Sequence, residues 1–99
     1  MRDICLARLD KVRPALVLTS PSMRGLLSNV TIAEITSTIR GLPTELLVGP
    51  ANGLDRDSVV NLHNIHTVPV ERVLHVVGVL PDGDEPALAH ALRTAFALR

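Results

Sequence analysis

The sequence predicts one small, mainly β domain whose short antiparallel strands curl into a half-barrel closed by a C-terminal helix. Its 99 residues match the usual size of a single domain with one core. Pro and Gly separate short apolar runs along most of the chain, and only the last segment has the period of an amphipathic helix. Because no linker or internal repeat divides the chain, we expect one domain over residues 1–99.

The strands are predicted from alternation and from β-branched residues. Residues 3–9 alternate, residues 14–19 form a continuous apolar run, and the short join between them indicates an antiparallel hairpin. Residues 20–25 are expected to form a loop. Residues 29–38 are rich in β-branched side chains and alternate between two faces. Further strands are predicted at 44–48, 57–62 and 74–80.

The C-terminal helix is predicted from its start signals and its apolar stripe. Asp84 can cap the helix, Glu85 favours the positive end of the helix dipole, and Pro86 is tolerated in the first turn. The stripe must cover a sheet or a partner. It consists of Leu88, Ala91, Leu92, Ala95 and Phe96.

The composition restricts the class of protein. With 46% apolar and 20% charged residues the chain is not intrinsically disordered, and no apolar run approaches the ~18 residues of a membrane helix. The single Cys5 cannot form an intramolecular disulfide and fits a core position, and the first residues lack the apolar segment of a signal peptide. We therefore expect a cytoplasmic protein without a membrane anchor.

Charge is distributed unevenly although the net charge is zero. Residues 1–40 carry six basic and three acidic groups, and nine of the ten cations in the chain are Arg. Planar guanidinium groups suit phosphate recognition, although a GC-rich genome explains the same bias. Polar residues at 36–41, together with Lys11 and Arg13, form a candidate phosphate site, but solvated strand ends have a similar composition.

The histidines offer a second candidate chemistry. His63 and His66 form an H-x-x-H pair that a helical turn would place on one face, yet no third ligand follows at a spacing typical of zinc sites. His75 and His90 fall in a predicted strand and helix, where a structural role is favoured over catalysis. We therefore predict no metal site and no cofactor.

Three segments carry a family resemblance. VRPALVLTS at 12–20, ITSTIRGLPTEL at 35–46 and DSVVNLHNIHTV at 57–68 resemble, in this order, successive blocks of the MazF/PemK toxin endoribonucleases. The resemblance implies an SH3-like, half-open β-barrel of the type that MazF and CcdB toxins share. It also implies a homodimer and a neighbouring antitoxin whose tail occupies the RNA groove.

The resemblance implies both an activity and a site. The activity is metal-independent cleavage of single-stranded RNA, either mRNA or loops of tRNA or rRNA, to 2′,3′-cyclic phosphate and 5′-hydroxyl ends, which inhibits translation and growth. Arg13 and Thr36 match the family's catalytic positions. Arg13 suits stabilisation of developing negative charge, and Thr36 suits a hydrogen bond to a phosphate oxygen. Expected RNA-binding residues are Lys11, Ser37, Thr38 and Arg40.

The chain departs from the family pattern at three places. The connection at residues 9–12 is shorter than usual, which leaves the bases read and the general base open. Glu34 stands where relatives often have Pro or an uncharged residue, and we favour a salt bridge over a general base. His66 stands where relatives often have Arg or Lys. Changes at His63 and His66 are expected to matter much less than changes at Arg13 and Thr36.

A different class of function also remains open. The same fold serves relatives that poison DNA gyrase by binding protein. A shortened loop is compatible with such a protein-binding toxin or with an inactive module that only binds antitoxin. Incubation of the protein with RNA in EDTA distinguishes these alternatives from a nuclease.

Overall fold

The computed structural model describes all residues from 1 to 99 and contains one six-stranded sheet and two helices. The elements are β1 Arg2–Arg8, β2 Val12–Val17, α1 Pro21–Arg24, β3 Asn29–Thr36, β4 Glu45–Val48, β5 Ser58–Pro69, β6 Val73–Leu80 and α2 Glu85–Phe96. The strand order is β4-β5-β3-β2-β1-β6, and every neighbouring pair is antiparallel. The mainly β prediction with a terminal helix is therefore confirmed. Neither helix is long and apolar enough to cross a membrane.

Several element boundaries differ from the prediction. β1 covers Arg2–Arg8 in place of 3–9, and β2 covers Val12–Val17 in place of 14–19. Three further differences have a local cause. The predicted loop at 20–25 contains the single turn α1, in which Pro21 supplies a helical start and the Met23 N–H donates to the Ser20 carbonyl. β3 ends at Thr36, and beyond it the Thr38 N–H donates to the Thr36 hydroxyl. β5 continues to Pro69 because its first half pairs with both β4 and β3 and its second half continues to pair with β3.

The sheet buries apolar side chains on both faces. Pairing of Ile4 with Leu16 and of Cys5 with Ala15 places neighbouring residues of one strand on opposite faces. One face, here called the covered face, carries Ile4, Leu16, Ala33 and Ile35 and packs beneath Leu88 and Ala91 of α2. The other, called the open face, carries Cys5, Ala7, Ala15, Val17, Val30 and Ile32.

The helix α2 largely follows its predicted stripe. Leu88 and Ala91 are buried, and Leu92 and Ala95 are partly buried against the same cluster, whereas Phe96 at the last turn is 56% exposed. The Asp84 side chain makes no capping hydrogen bond, which corrects the predicted cap. Glu85 instead accepts two hydrogen bonds from the Arg2 guanidinium at 2.7 and 3.0 Å, so an ion pair to β1 fixes the start of the helix.

Two glycines permit close backbone contact beside the sheet. The turn that ends at Gly53, where φ is +85°, lies directly against β6. A Cβ on Gly78 would lie 1.7 Å from the Asn52 carbonyl oxygen, so no larger residue fits there. This contact sets the position of the loop that follows Gly53, which forms one wall of the site.

Candidate functional site

The predicted catalytic residues lie at one end of the open face. Arg13, the second residue of β2, pairs with Ala7, an open-face residue, so its side chain shares that face. Glu34 pairs with Ala15, and Thr36 follows two residues later on the same strand. The apolar part of the open face thus passes into a polar end that Arg13, Glu34 and Thr36 share.

Arg13 and Thr36 border two adjoining grooves, here called the mixed groove, of about 510 Å³, and the polar groove, of about 520 Å³. Each is large enough for small organic groups. The polar groove is lined further by Asp10, Glu34, Glu45, Asn61, Asn64 and His66. The mixed groove is lined further by apolar, hydroxyl and charged side chains, among them Leu54, Arg56, Ser58 and Val77. A chain lying across both grooves must pass Arg13 and Thr36.

All four predicted RNA-binding residues line one of these grooves. Lys11 and Ser37 line the mixed groove, and Thr38 and Arg40 line the polar groove. The structure therefore brings the predicted site residues together around Arg13 and Thr36. Their roles stay predictions.

Two carboxylates hold the Arg13 side chain. Its Nε and Nη2 donate to the two Asp10 oxygens at 3.2 and 3.3 Å, and Nε lies 3.5 Å from Glu34 Oε1. The hydrogen bond with Asp10 raises the pKa of Arg13, and the same bond holds the pKa of Asp10 below its ordinary value. Nη1 donates to no protein group, so a phosphate can approach the guanidinium from that side.

The Thr36 hydroxyl is placed to donate a hydrogen bond. Its Oγ1 accepts a hydrogen bond from the Thr38 N–H at 3.1 Å, which leaves the hydroxyl hydrogen free for an acceptor. A phosphate oxygen is such an acceptor. The geometry fits the role that the sequence predicts for Thr36.

Glu45 anchors the loop after β3, a role that the sequence did not reveal. Its Oε1 accepts the backbone N–H groups of Arg40, Gly41 and Leu42 at 2.9–3.2 Å. Gly41 takes a positive φ of 74°, which lets three successive N–H groups converge. The loop that carries Thr38 and Arg40 is therefore held to β4.

The two histidines of the H-x-x-H pair lie on β5 and not on a helical turn, so the alignment that a helix would give them is absent. The His63 ring bonds the Thr44 hydroxyl, whereas His66 Nε2 lies 2.6 Å from Glu34 Oε2. No group of three His, Cys, Asp or Glu side chains is arranged to hold a metal ion. The salt bridge expected for Glu34 is present with Arg13, and the other Glu34 oxygen hydrogen-bonds the His66 ring.

Sequence reasoning missed several groove residues. Asp10, Asn61, Asn64 and Arg56 line the grooves although no role was predicted for them. Asn61 and Asn64 fall within the third family block, and their side-chain amides both donate and accept hydrogen bonds. Two Asn residues within a family block were therefore the signal in the sequence that could have indicated a surface that contacts bases.

Cys5 is a core residue, as predicted. It is 1% exposed on the open face, and burial raises the pKa of its thiol. A thiol so placed is a poor nucleophile.

The fold and the site together define a small half-barrel protein with an arginine- and hydroxyl-lined groove suited to a phosphodiester chain. This chain belongs to the PemK-like, MazF-like toxin family of type II toxin–antitoxin systems, whose family model matches residues 2–96. The predicted membership is therefore confirmed.

Relatives from mycobacteria share both sequence and structure with the chain. It is 49% identical over 98 residues to endoribonuclease MazF3 of Mycobacterium tuberculosis, covering 99% of this chain and 95% of that protein. The solved structure of Mycobacterium tuberculosis toxin MazF-mt6 is 48% identical, with a TM-score of 0.97 over 99% of each chain. A mycobacterial endoribonuclease solved in complex with its cognate antitoxin is 23% identical, with a TM-score of 0.86 over 98% of this chain and 93% of that one, and shows the same fold.

Proposed function

We propose that this protein is the toxin of a type II toxin–antitoxin system and acts in the cytoplasm as a metal-independent endoribonuclease on single-stranded RNA. The observation that carries the proposal is the position of Arg13 and Thr36 where the two grooves meet. A strand that fills both grooves presents one phosphate to these two side chains. The name of the relative MazF3, an endoribonuclease, supports the same activity.

The reaction begins with attack of a 2′-hydroxyl oxygen on the adjacent phosphorus and ends with departure of the 5′-oxygen. Negative charge on the phosphate oxygens grows in the transition state. Arg13 faces that charge with its free Nη1, and Thr36 donates its hydroxyl to a phosphate oxygen and positions it. The products are a 2′,3′-cyclic phosphate and a 5′-hydroxyl.

Base recognition in this proposal uses hydrogen bonds in place of stacking. The only aromatic ring among Phe, Tyr and Trp is Phe96, which lies in α2 and lines neither groove. Asn61 and Asn64 in the polar groove supply amides that can read base edges. Specificity should therefore depend more on these amides than on any aromatic platform.

The antitoxin is proposed to bind the same grooves. The related endoribonuclease solved with its cognate antitoxin motivates this extension. A flexible tail with acidic and apolar residues suits the basic strand ends and the apolar part of the mixed groove. Arg40→Glu should then weaken RNA and antitoxin peptide together, whereas peptide inhibition that survives saturating uncleavable RNA would contradict a shared groove.

The protein is also proposed to form a homodimer. A cleft on the side of α1 and β6 is lined mainly by apolar residues, and exposed aliphatic side chains surround it. A second copy of the chain would cover this surface by a self-complementary contact. The exposed aliphatic residues are Met23, Leu26, Leu27, Val70, Leu74 and Val76.

Light scattering at micromolar concentration tests the dimer. The expected mass is about twice 10.6 kDa. Val76→Glu places a charge on the exposed surface and should give a folded monomer. A wild-type protein that is monomeric and active would contradict the dimer and any groove built from two chains.

One assay tests the function. Purified protein is incubated with a long single-stranded RNA in EDTA, and the ends of the fragments are mapped. Cleavage with 2′,3′-cyclic phosphate ends supports the proposal and also reveals the sequence preference. Capture of DNA gyrase without RNA cleavage would contradict the ribonuclease and support a protein-binding toxin. Inhibition of cleavage by EDTA would contradict the metal-independent reaction.

A further inference from the structure

Glu34 and His66 are the two departures from the family pattern that face each other in the fold. They lie 32 residues apart in sequence, on β3 and β5, and His66 Nε2 is 2.6 Å from Glu34 Oε2. His66 pairs across the sheet with the open-face residue Ile32, which places its ring on the same face as Glu34. Both side chains line the polar groove that Arg13 and Thr36 border.

The hydrogen bond determines which ring nitrogen can accept a proton. An ionised carboxylate only accepts hydrogen bonds, so His66 Nε2 carries the hydrogen that Glu34 receives. In the neutral ring, Nδ1 then has the free lone pair, and it makes no hydrogen bond within the protein. The His66 side chain is 39% exposed, whereas that of Glu34 is 19% exposed, so the carboxylate lies deeper than the ring.

Arg13, Thr36 and Asp10 are poorly suited to accept the proton. Arg13 keeps its proton at any pH at which RNA is stable, and its hydrogen bond with Asp10 raises its pKa further. The Thr36 hydroxyl is a weak base. Both Asp10 oxygens already accept hydrogen bonds from Arg13.

We propose that Glu34 and His66 form the proton-transfer pair of the ribonuclease reaction, with His66 as general base and Glu34 as the residue that positions its ring. This inference rests on the proposed ribonuclease function. For His66 it replaces the expectation from the sequence that its changes matter much less than changes at Arg13 and Thr36, because the sequence did not show that His66 meets Glu34. The pairing corresponds to the histidine–carboxylate arrangement in which the acid fixes the tautomer and stabilises the imidazolium.

The proton balance is simple. As the 2′-oxygen forms its bond to phosphorus, its O–H bond breaks and the proton passes to His66 Nδ1. The bond from phosphorus to the 5′-oxygen breaks with its electron pair, and the 5′-oxygen takes a proton from water. The imidazolium returns its proton to the hydroxide left behind, so neither water nor an external acid is consumed overall.

The charged groups around this pair come from four neighbouring segments. The Nε of Arg13, on β2, lies 3.5 Å from Glu34 Oε1, the oxygen that does not contact His66. Asp10 of the turn between β1 and β2 accepts a hydrogen bond from the same Nε. Arg40 of the loop after β3 and Glu45 of β4 line the same groove. A pH–rate profile of the wild type should show an acidic limb that rises one decade per pH unit, because one proton must leave the ring before it can act.

The test is single-turnover cleavage of an oligonucleotide with one ribonucleotide at the mapped wild-type site. His66→Gln retains an N–H donor for Glu34 but cannot take up a proton, and it should lower the rate about 10²-fold and remove the acidic limb. Added imidazole should restore part of the rate to His66→Ala but none to Arg13→Ala. Glu34→Gln should lower the rate less than His66→Gln. His90→Gln, at an exposed position of α2, is the matched histidine control and should cleave normally.

The outcomes separate this inference from the proposed function. If the wild type cleaves no RNA, the function itself is wrong. If the wild type cleaves, and folded His66→Gln keeps both its rate and its acidic limb, the pair is wrong while the ribonuclease stands.

A substrate with sulfur in place of the 5′-oxygen tests the direction of proton transfer. Sulfur leaves without a proton, so it removes the need for a general acid and leaves the need for a general base. The His66→Gln defect should persist on this substrate. Disappearance of the defect would contradict the assignment of His66 as the base.

Discussion

Both faces of the sheet bury apolar side chains at their centres, but the two faces end differently. The covered face continues into α2, where Leu88 and Ala91 complete an apolar cluster. The open face runs from its apolar centre into Arg13, Glu34 and Thr36 at one end and into an exposed apolar cleft at the other. Residues of the covered face should therefore affect stability, and polar residues of the open face should affect activity.

Leu88→Ala should produce the largest change in stability. Leu88 is 2% exposed between α2 and the covered face, and its truncation leaves a cavity that typically costs about 2–5 kcal/mol of unfolding free energy. Urea unfolding measures the loss. RNA cleavage per folded molecule should stay unchanged at low temperature, and a fall in cleavage without a fall in stability would contradict the division between the two faces.

Arg13→Ala should produce the largest change in activity. It removes the only guanidinium that borders both grooves, and the loss should be about 10²-fold or more, as for other preorganised donors. Arg13→Lys should restore little, because one ammonium does not replace the planar fork that Asp10 holds. Single-turnover cleavage with circular dichroism checks both variants, and a near-normal rate in folded Arg13→Ala would refute the assignment.

Thr36→Val should lower cleavage about tenfold, the expected cost of losing one hydrogen bond to a developing anion. The substitution keeps the β-branched shape, so the protein should remain folded. Thr31→Val is a matched control on the same strand, because Thr31 bonds Thr67 on the opposite face of the sheet and lines neither groove. Equal cleavage defects in the two variants would indicate a general effect of β3 stability.

Glu45→Ala should have a smaller effect, which includes both stability and cleavage. It frees three backbone N–H groups of the loop that carries Arg40, with an expected loss of about 1–2 kcal/mol in stability and a few-fold loss in cleavage. Glu45→Gln retains a carbonyl acceptor and should lose less. Hydrogen exchange at Arg40, Gly41 and Leu42 should become faster in Glu45→Ala, and unchanged exchange would contradict the anchoring role.

Asp10→Asn should give the smallest effect on stability, and the effect should depend on pH. The hydrogen bond from Arg13 lowers the pKa of Asp10 in the folded protein. The ionised Asp10 carboxylate therefore contributes its full stabilisation of the fold above the unfolded pKa near 3.8, and this stabilisation is lost as the pH falls through the lower pKa of the folded protein. Wild type should therefore melt slightly higher than Asp10→Asn at pH 7, and the difference should shrink as the pH falls below 3.8. Glu71→Gln, at an exposed position, is the control and should show no such convergence.

Much of the fold was predictable because it follows from local periodicity. The alternation along residues 29–38 correctly separated Val30 and Ile32 from Ala33 and Ile35, which lie on opposite faces. The α2 stripe was also correct except at Phe96. By contrast, the second half of β5 was missed, because its polar and half-buried residues lack the apolar pattern of a core strand.

The candidate site was only partly predictable. Arg13 and Thr36 followed from family blocks that are local in sequence, and the structure places them together at the groove junction. The partners of His66 and Glu45 did not follow, because each contact joins segments whose relative positions no local pattern specifies. The H-x-x-H spacing even favoured a joint site that β5 does not form, since His63 bonds Thr44 and His66 bonds Glu34.

The sequence by itself determined the mainly β class, the two-sided strands, the terminal helix and the family, because these depend on side-chain period and on motifs within a few residues. Only the tertiary structure decided which polar groups meet on the open face. The register between β3 and β5 shifts between Ala33 and Ile35, so that Ala33 pairs with Ile65 while Ile35 pairs with Val60. This irregularity sets where His66 lies relative to Glu34. It arises from the packing of the whole sheet, in which the single strand β5 must pair with both β4 and β3.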